Sequence, residues 1–247
     1  MATSTLPVNF MDQAAPFLQA LVEWERALPT VAWTDFVTEA QAGQVALFSV
    51  DMINGFCYEG VLSSPRVRGI IPAVVSAFKG AHAIGVRNFV LAQDCHSPNA
   101  TEFADFPPHC QMDTSEARTI PELAELPFRD LFTIVAKNSL SAFHGTRLGD
   151  WLEEHRDLRV AVVVGDCTDL CVHQMAMHLK LYANAHNLNM RVIVPENAVQ
   201  TYDLPLAAAR ESGALPHNGD VMHLLFLYHM RLNGVEVVRE VIAPQGH

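Results

Sequence analysis

Positive charge is scarce in this chain. Lys and Arg number 16 against 27 Asp and Glu over 247 residues, a formal net charge of −11, and the basic residues nowhere cluster. A phosphate backbone would be repelled, so a nucleic-acid partner is excluded and a small-molecule ligand is expected. No apolar run approaches the ~18 residues of a membrane span, and the opening MATSTLPVNFMDQ has neither a basic segment nor a long apolar one. A soluble, cytoplasmic homo-oligomer with no membrane partner is the expectation. Cysteine is sparse and odd in number, at positions 57, 95, 110, 167 and 171, in a chain too large to need stapling, so reduced thiols are expected. The sequence contains no CxxC pair, internal repeat, low-complexity tract or evident linker. Half of its residues are hydrophobic, enough to build one α/β core.

What is present centres on the stretch from Arg159 to Ala176. Val160 to Val164 is an apolar, mostly β-branched run without alternation, which suits a strand covered on both faces. Gly165 ends it. From Cys171 the apolar positions Val172, Met175, Ala176 and Leu179 recur at helical spacing, with Thr168 and Asp169 as N-cap candidates. Cys171 thus falls at a helix N-terminus, where unpaired N–H groups and the helix dipole favour thiolate over thiol. A cysteine at such a junction is by itself ordinary core filling. It becomes a nucleophile only with a positive neighbour and a base.

The rest of the chain alternates strands and helices. Residues 11 to 28 read as an amphipathic helix ahead of the first strand, a lid or packing extension, so residues 1–43 form an N-terminal helical extension and 44–247 the main domain. Strands follow at Val45–Asp51, Asn88–Asp94, Phe132–Lys137, Arg191–Pro195 and Val235–Val241, in addition to the Val160 run. Helices are expected over 70–85 with Gly85 as C-cap, over 146–155, from Cys171, over 204–213 and over 217–232. Residues 95–131 read as a long, Pro-rich loop with one short helix near 120–125, and a loop of that length is usually functional. This order predicts βαβ units, hence a three-layer α/β/α fold around a mostly parallel, Rossmann-like sheet. In such folds the ligand sits beyond the carboxyl ends of the strands.

Asp51, Asp94, Lys137 and the Cys171 loop all lie at such ends. Asp51 can take a thiol proton and Lys137 can hold the charge left behind; the plain alternative is an ordinary ion pair. Asp94-Cys-His96, then Glu102 and Phe106-Pro-Pro-His109, supply a carboxylate, two imidazoles and a reserve carboxylate. Asp94 and His96, two apart in extended backbone, point the same way, and the loop can bring His109 round. Two His and one carboxylate suit Zn²⁺, Fe²⁺ or Mn²⁺. Other histidines, among them His173, His178, His217, His223 and His229, read as packing or surface groups.

Five ordered segments carry a resemblance: Ser49-Val-Asp51-Met-Ile-Asn54-Gly-Phe56-Cys57, Asp94-Cys-His96, Phe106-Pro-Pro-His109-Cys110, Lys137-Asn-Ser-Leu-Ser141-Ala-Phe143 and Gly165-Asp-Cys-Thr168-Asp169-Leu-Cys171-Val172. Together they resemble the motifs of the isochorismatase-like cysteine hydrolases, nicotinamidase-like branch. The resemblance implies catalytic Asp51, Lys137 and Cys171, an oxyanion hole from the N–H groups of Cys167 and Cys171, and a non-proline cis peptide before Cys167. It also implies a divalent metal, one per chain, at Asp94, His96 and His109, to which Glu102, the reserve carboxylate of the loop, is a candidate fourth ligand. Phe56 and Phe106 are candidate walls for a substrate ring. Four positions depart from the pattern: Gly55 replaces an acidic residue, Asp113 a glycine, Asp166 a small apolar residue, and Phe106 a Trp. The expected activity is release of ammonia from nicotinamide or a related small aromatic amide through a thioester. Another hydrolase of the superfamily, acting on a different amide or a vinyl ether, and a non-catalytic small-molecule binder are the alternatives.

Overall fold

The computed structural model describes residues 5–244. In chain order the elements are α1 (Phe10–Arg26), β1 (Thr30–Ala32), α2 (Trp33–Glu39), β2 (Val45–Val50), α3 (Asn54–Cys57), α4 (Pro65–Gly69), α5 (Ile71–Ala83) and β3 (Asn88–Asp94). Then come α6 (Pro121–Ala124), β4 (Phe132–Lys137), α7 (Leu148–Glu154), β5 (Val160–Asp166), α8 (Cys171–Ala185) and β6 (Arg191–Pro195). The chain ends with β7 (Val199–Gln200), α9 (Leu206–Ser212), α10 (Gly219–Leu232), β8 (Glu236–Val238) and β9 (Glu240–Ile242).

The main sheet runs β4-β3-β2-β5-β6-β8, with β7 also paired to β5, and all its pairings are parallel. Alternation along buried strands divides the apolar side chains between two cores. Val45 and Leu47 of β2 and Val160, Val162 and Val164 of β5 face one core with Trp33, Phe36, Val74 and Phe78. Ala46, Phe48 and Val50, with Ala161 and Val163, face the other with Leu148, Leu152, Met175, Ala176 and Leu227. Helices on both faces of a parallel sheet give the three-layer α/β architecture. Among the described residues, no helix is long and apolar enough to cross a membrane.

At both ends of the chain the structure adds what periodicity did not reveal. Helix α1 lies against α10, where Trp24 and Phe17 meet Tyr228 edge-on at 5.2 and 5.8 Å between ring centroids. Residues 30–39 enter the core: Trp33 and Phe36 are fully buried, and β1 pairs with β9 in a small second sheet. The single terminal strand expected over 235–241 is two, broken at Arg239, so that one half joins the main sheet and the other reaches β1. The long segment after β3 holds α6 and short 3-10 turns at Thr101–Ala104 and Arg129–Leu131.

Candidate active site

Sheet register, not loop conformation, assembles the polar centre. Asp94 and Lys137 are direct partners at the ends of β3 and β4, and Asp51 follows the end of β2, in the next strand position. Asp51 has a left-handed backbone (φ 54°), and its Oδ1 accepts a 2.7 Å hydrogen bond from the Asp94 N–H. Lys137 Nζ lies 2.8 Å from Asp51 Oδ2, pairs with Asp94 Oδ1, and is 3.5 Å from Cys171 Sγ. All four side chains are buried. The sequence-predicted Asp51, Lys137 and Cys171 therefore meet at one point.

The electrostatics follow from one cation among three acidic groups. Burial pushes the Asp51 carboxyl up to about 6, helped by Asp94 and opposed by Lys137. For Asp94 burial acts in the same direction but is outweighed by Lys137 and by hydrogen bonds from His109 and His96, which hold it below the usual carboxylate range. Burial would lower the Lys137 ammonium, yet Asp51 and Asp94 raise it well above its ordinary value, so it is charged. Cys171 corrects the expectation of a lowered thiol. Burial dominates, Asp51 and Asp94 add to it, and Lys137 offsets them only in part, so the thiol is pushed well up. The ligand atoms of Asp51, Asp94 and Cys171 lie within 4.8 Å of one another, but the ammonium among them excludes a metal ion there.

The turn from β5 to α8 has the cis bond between Asp166 and Cys167 that the resemblance implies. Gly165 has φ 115° and passes so close to β2 that a Cβ would strike the Val50 carbonyl oxygen, so no other residue fits. Leu170 and Val172 N–H both donate to the Cys167 carbonyl, at 3.0 and 3.1 Å. Among the described residues, no main-chain carbonyl accepts from the N–H of Cys167 or Cys171. Thr168 and Asp169, expected as caps, do not cap α8: its N-cap is Leu170, without a side-chain bond. Their partners are two of the histidines read as packing groups, His223 and His217, each at 2.8 Å.

A second cluster adjoins through Asp94. Its Oδ2 is 3.4 Å from His96 Nε2 and 3.6 Å from His109 Nε2, and Glu102 Oε1 is 3.8 Å from His96 Nε2. The donor atoms of Asp94, His96 and His109 converge within 4.8 Å. Donors at about 2.0–2.1 Å around a tetrahedral ion stand about 3.4 Å apart, close to these spacings. His96 Nδ1 is held by Asn138 Oδ1 at 3.3 Å and His109 Nδ1 by the Pro107 carbonyl at 2.8 Å, which turns both Nε2 atoms inward. His96 Nε2 and Glu102 Oε1 are buried and have no hydrogen-bond partner. Orphaned buried donors aimed at one point fit a metal ion. Glu102 is partly committed elsewhere, since its Oε2 accepts from Leu140 N–H at 3.1 Å.

Phe56 is buried with its ring 5.7 Å from that of His109, and Phe106 is half-buried at 6.3 Å. The sequence reading missed Phe103, 5.4 Å from His96 and 5.8 Å from His109. Its place beside Glu102 in the loop was the available signal. Two departures from the expected motifs have structural reasons. Asp113 stands where glycine is usual because its backbone is left-handed, φ 64°, a conformation Asp tolerates. At Gly55 a Cβ would collide with Cys110 Sγ and approach Glu116 Cβ at 3.1 Å; the Glu116 carboxylate instead receives the Cys110 N–H at 2.9 Å. Asp166 is buried, its carboxyl is pushed well up by burial and by Asp51, and it lies 3.6 Å from Cys167 Sγ.

The chain is similar to known proteins over most of its length. Nicotinamidase 1 of Arabidopsis thaliana is 32% identical over 213 residues, covering 80% of this chain and 86% of its own length. The crystal structure of a nicotinamidase from Bacillus subtilis superposes with a TM-score of 0.61 at 25% identity, covering 79% of this chain and 99% of that one. A pyrazinamidase of Pyrococcus horikoshii, solved in complex with zinc, shares the fold with a TM-score of 0.61 at 24% identity over 79% of this chain and 99% of its own. Residues 45–222 match the Isochorismatase domain, from the first residue of β2 into α10. With the domain matched over residues 45–222 and a relative 32% identical over 80% of its length, the chain belongs to the isochorismatase family.

Proposed function

We propose that this protein is a cysteine amidohydrolase that releases ammonia from nicotinamide or a related small aromatic amide. The observation that carries the reading is the position of Lys137 Nζ, 2.8 Å from Asp51 and 3.5 Å from Cys171 Sγ, in a buried centre that shares Asp94 with a two-histidine donor set. An ordinary ion pair has no use for a sulfur on its third side. The relationship to a plant nicotinamidase supports the amide class.

The resting thiol loses its proton to Asp51 as Sγ attacks the amide carbonyl carbon; Lys137 holds the charge that passes through the sulfur. The carbonyl electron pair moves to oxygen, and the N–H groups of Cys167 and Cys171 receive it. When the C–N bond breaks, Asp51 returns its proton to the leaving nitrogen and ammonia departs. Water then gives a proton to Asp51 as it attacks the thioester, the C–S bond breaks, and the sulfur recovers the proton as the acid is released. Phe56, Phe103 and Phe106 would pack the substrate ring beside His109. Asp94, His96 and His109, with Glu102 as fourth donor, would hold a zinc, iron or manganese ion. Such an ion supplies a Lewis acid for a ring nitrogen or a bound water. Ammonia release from nicotinamide, pyrazinamide and aliphatic amides by metal-quantified protein tests the reading. Turnover confined to aliphatic amides, or none at all, would overturn it.

A further inference from the structure

Between Cys167 and Cys171 the turn carries two polar side chains, Thr168 and Asp169, and each is gripped by an imidazole from the C-terminal part of the chain. Thr168 Oγ1 is 2.8 Å from His223 Nδ1, and Asp169 Oδ2 is 2.8 Å from His217 Nε2. Thr168, Asp169 and His217 are buried. The far side of each ring is also fixed. His217 Nδ1 lies 2.9 Å from the Tyr202 carbonyl oxygen and its ring stacks on Tyr202, centroids 3.9 Å apart. His223 Nε2 faces Glu196 Oε1 at 3.7 Å, and Glu196 Oε2 is 2.9 Å from Arg239. Arg239 in turn grips both the carboxylate and the main-chain carbonyl of Glu25, at the end of α1. A polar chain thus runs from the N-terminal helix to the residue after Cys167.

We propose that His217 and His223 are positioning residues that aim the N–H groups of Cys167 and Cys171 at the reacting oxygen, a role that presupposes the amidohydrolase reading above. The start of α8 has no side-chain cap to fix it, and the two side chains that would ordinarily supply one are turned outward to the imidazoles. Donors must already be in place when the oxyanion forms, and a misplacement of about 1 Å can cost on the order of a hundredfold in rate. Helix α1 supports the His223 arm through Arg239 and Glu196.

The two rings present opposite nitrogens to the turn, and this gives a crossed test. An Asn amide reaches about as far as Nδ1 and a Gln amide about as far as Nε2. His223→Asn and His217→Gln should keep kcat within about threefold, whereas His223→Gln and His217→Asn should lose roughly tenfold to a hundredfold with KM nearly unchanged. Simple space filling would rank the variants by size and would not cross. Alkylation of Cys171 by iodoacetamide builds no oxyanion, so its rate should be the same in all four. Arg239→Met should lower kcat slightly, by no more than His223→Asn, which also gives up the Glu196 contact. Each variant is assayed on nicotinamide and on p-nitrophenyl acetate. A wild-type protein that cleaves only the ester counts against the amide reading and leaves the crossed pattern readable. Uncrossed losses, unchanged kcat in all four, or alkylation falling in step with turnover would overturn the positioning role. Unchanged kcat in Arg239→Met would remove α1 from it, and a wild type inert on both substrates removes both proposals.

Discussion

The Asp94 N–H donates a 2.7 Å hydrogen bond to Asp51 Oδ1, so the end of one strand orients the proposed base while its own side chain serves the proposed metal set. Asp94 is shared a second time, since Oδ1 pairs with Lys137 and Oδ2 faces the two imidazoles. Replacing its charge should therefore do two things at once. Asp94→Asn should lose metal affinity by more than the roughly 10–100-fold that a missing outer partner costs, and should also leave Lys137 with one counter-ion in place of two. His96→Ala touches only the donor set. We expect both variants to lose bound metal, measured by elemental analysis, and Asp94→Asn to lose more ammonia-releasing activity than His96→Ala at equal metal content. Equal activities would show that the Asp94–Lys137 contact plays no part.

Lys137 is the sole cation described between Asp51 and Asp94, and all three are buried. Removing it strands two carboxylates away from water. Lys137→Met should abolish turnover and should also destabilise the fold by about 3–5 kcal/mol, the usual cost of breaking a buried pair from one side. Urea unfolding at neutral pH reads the second effect. Raising the proton concentration should restore part of the lost stability, because the stranded carboxylates can then be neutral. A variant as stable as the parent would mean that water reaches the pair.

Stability elsewhere hangs on close approach. Gly80 lies in the C-terminal half of α5, and a Cβ there would stand 2.5 Å from Cδ1 and 2.6 Å from Nε1 of the fully buried Trp33. Helix propensity favours Ala over Gly by about 1 kcal/mol, whereas overpacking a core costs about 1–3 kcal/mol. Gly80→Ala should therefore be less stable by up to about 2 kcal/mol, seen as a lower urea midpoint with unchanged slope, with activity per folded molecule intact. A higher midpoint would show that the Trp33 ring can shift aside.

Strands were legible because β-branched runs buried on both faces leave few other readings, and the charged residues at their ends were legible because strand ends are marked by where those runs stop. Asp51, Asp94 and Lys137 needed no knowledge of loops. What escaped notice was whatever depended on distant pairing. Thr168 and Asp169 look like caps locally, and only contacts 55 and 48 residues along the chain turn them to His223 and His217. Twelve histidines offered no way to single out those two. The break at Arg239 carries no Gly or Pro to mark it in the sequence; there the Arg239 N–H turns to the distant Pro29 carbonyl at 2.7 Å. Local sequence also misjudged Cys171: a helix N-terminus, one Lys and two carboxylates were visible, but the burial that outweighs the Lys was not.

That last difference decides which cysteine reacts first. Burial and the two carboxylates push the Cys171 thiol up, and burial with neighbouring carboxylates does the same at Cys57, Cys110 and Cys167. Cys95 is half-exposed and is raised less severely, by slight burial and by Asp113 and Asp94. In metal-stripped protein without substrate, iodoacetamide near neutral pH should label Cys95 first, with no loss of activity after metal is restored. Cys171 should follow more slowly, faster as pH rises because only the thiolate reacts, and activity should fall in step with its labelling as mapped by peptide mass. Cys167→Ala should keep most activity, since only its main chain is used, while Cys171→Ala should keep none. Cys171 outpacing Cys95 at neutral pH would show that Lys137 and the helix N-terminus overcome burial after all. Activity surviving in Cys171→Ala but not in Cys167→Ala would remove the nucleophile, and with it the roles assigned to Asp51 and Lys137.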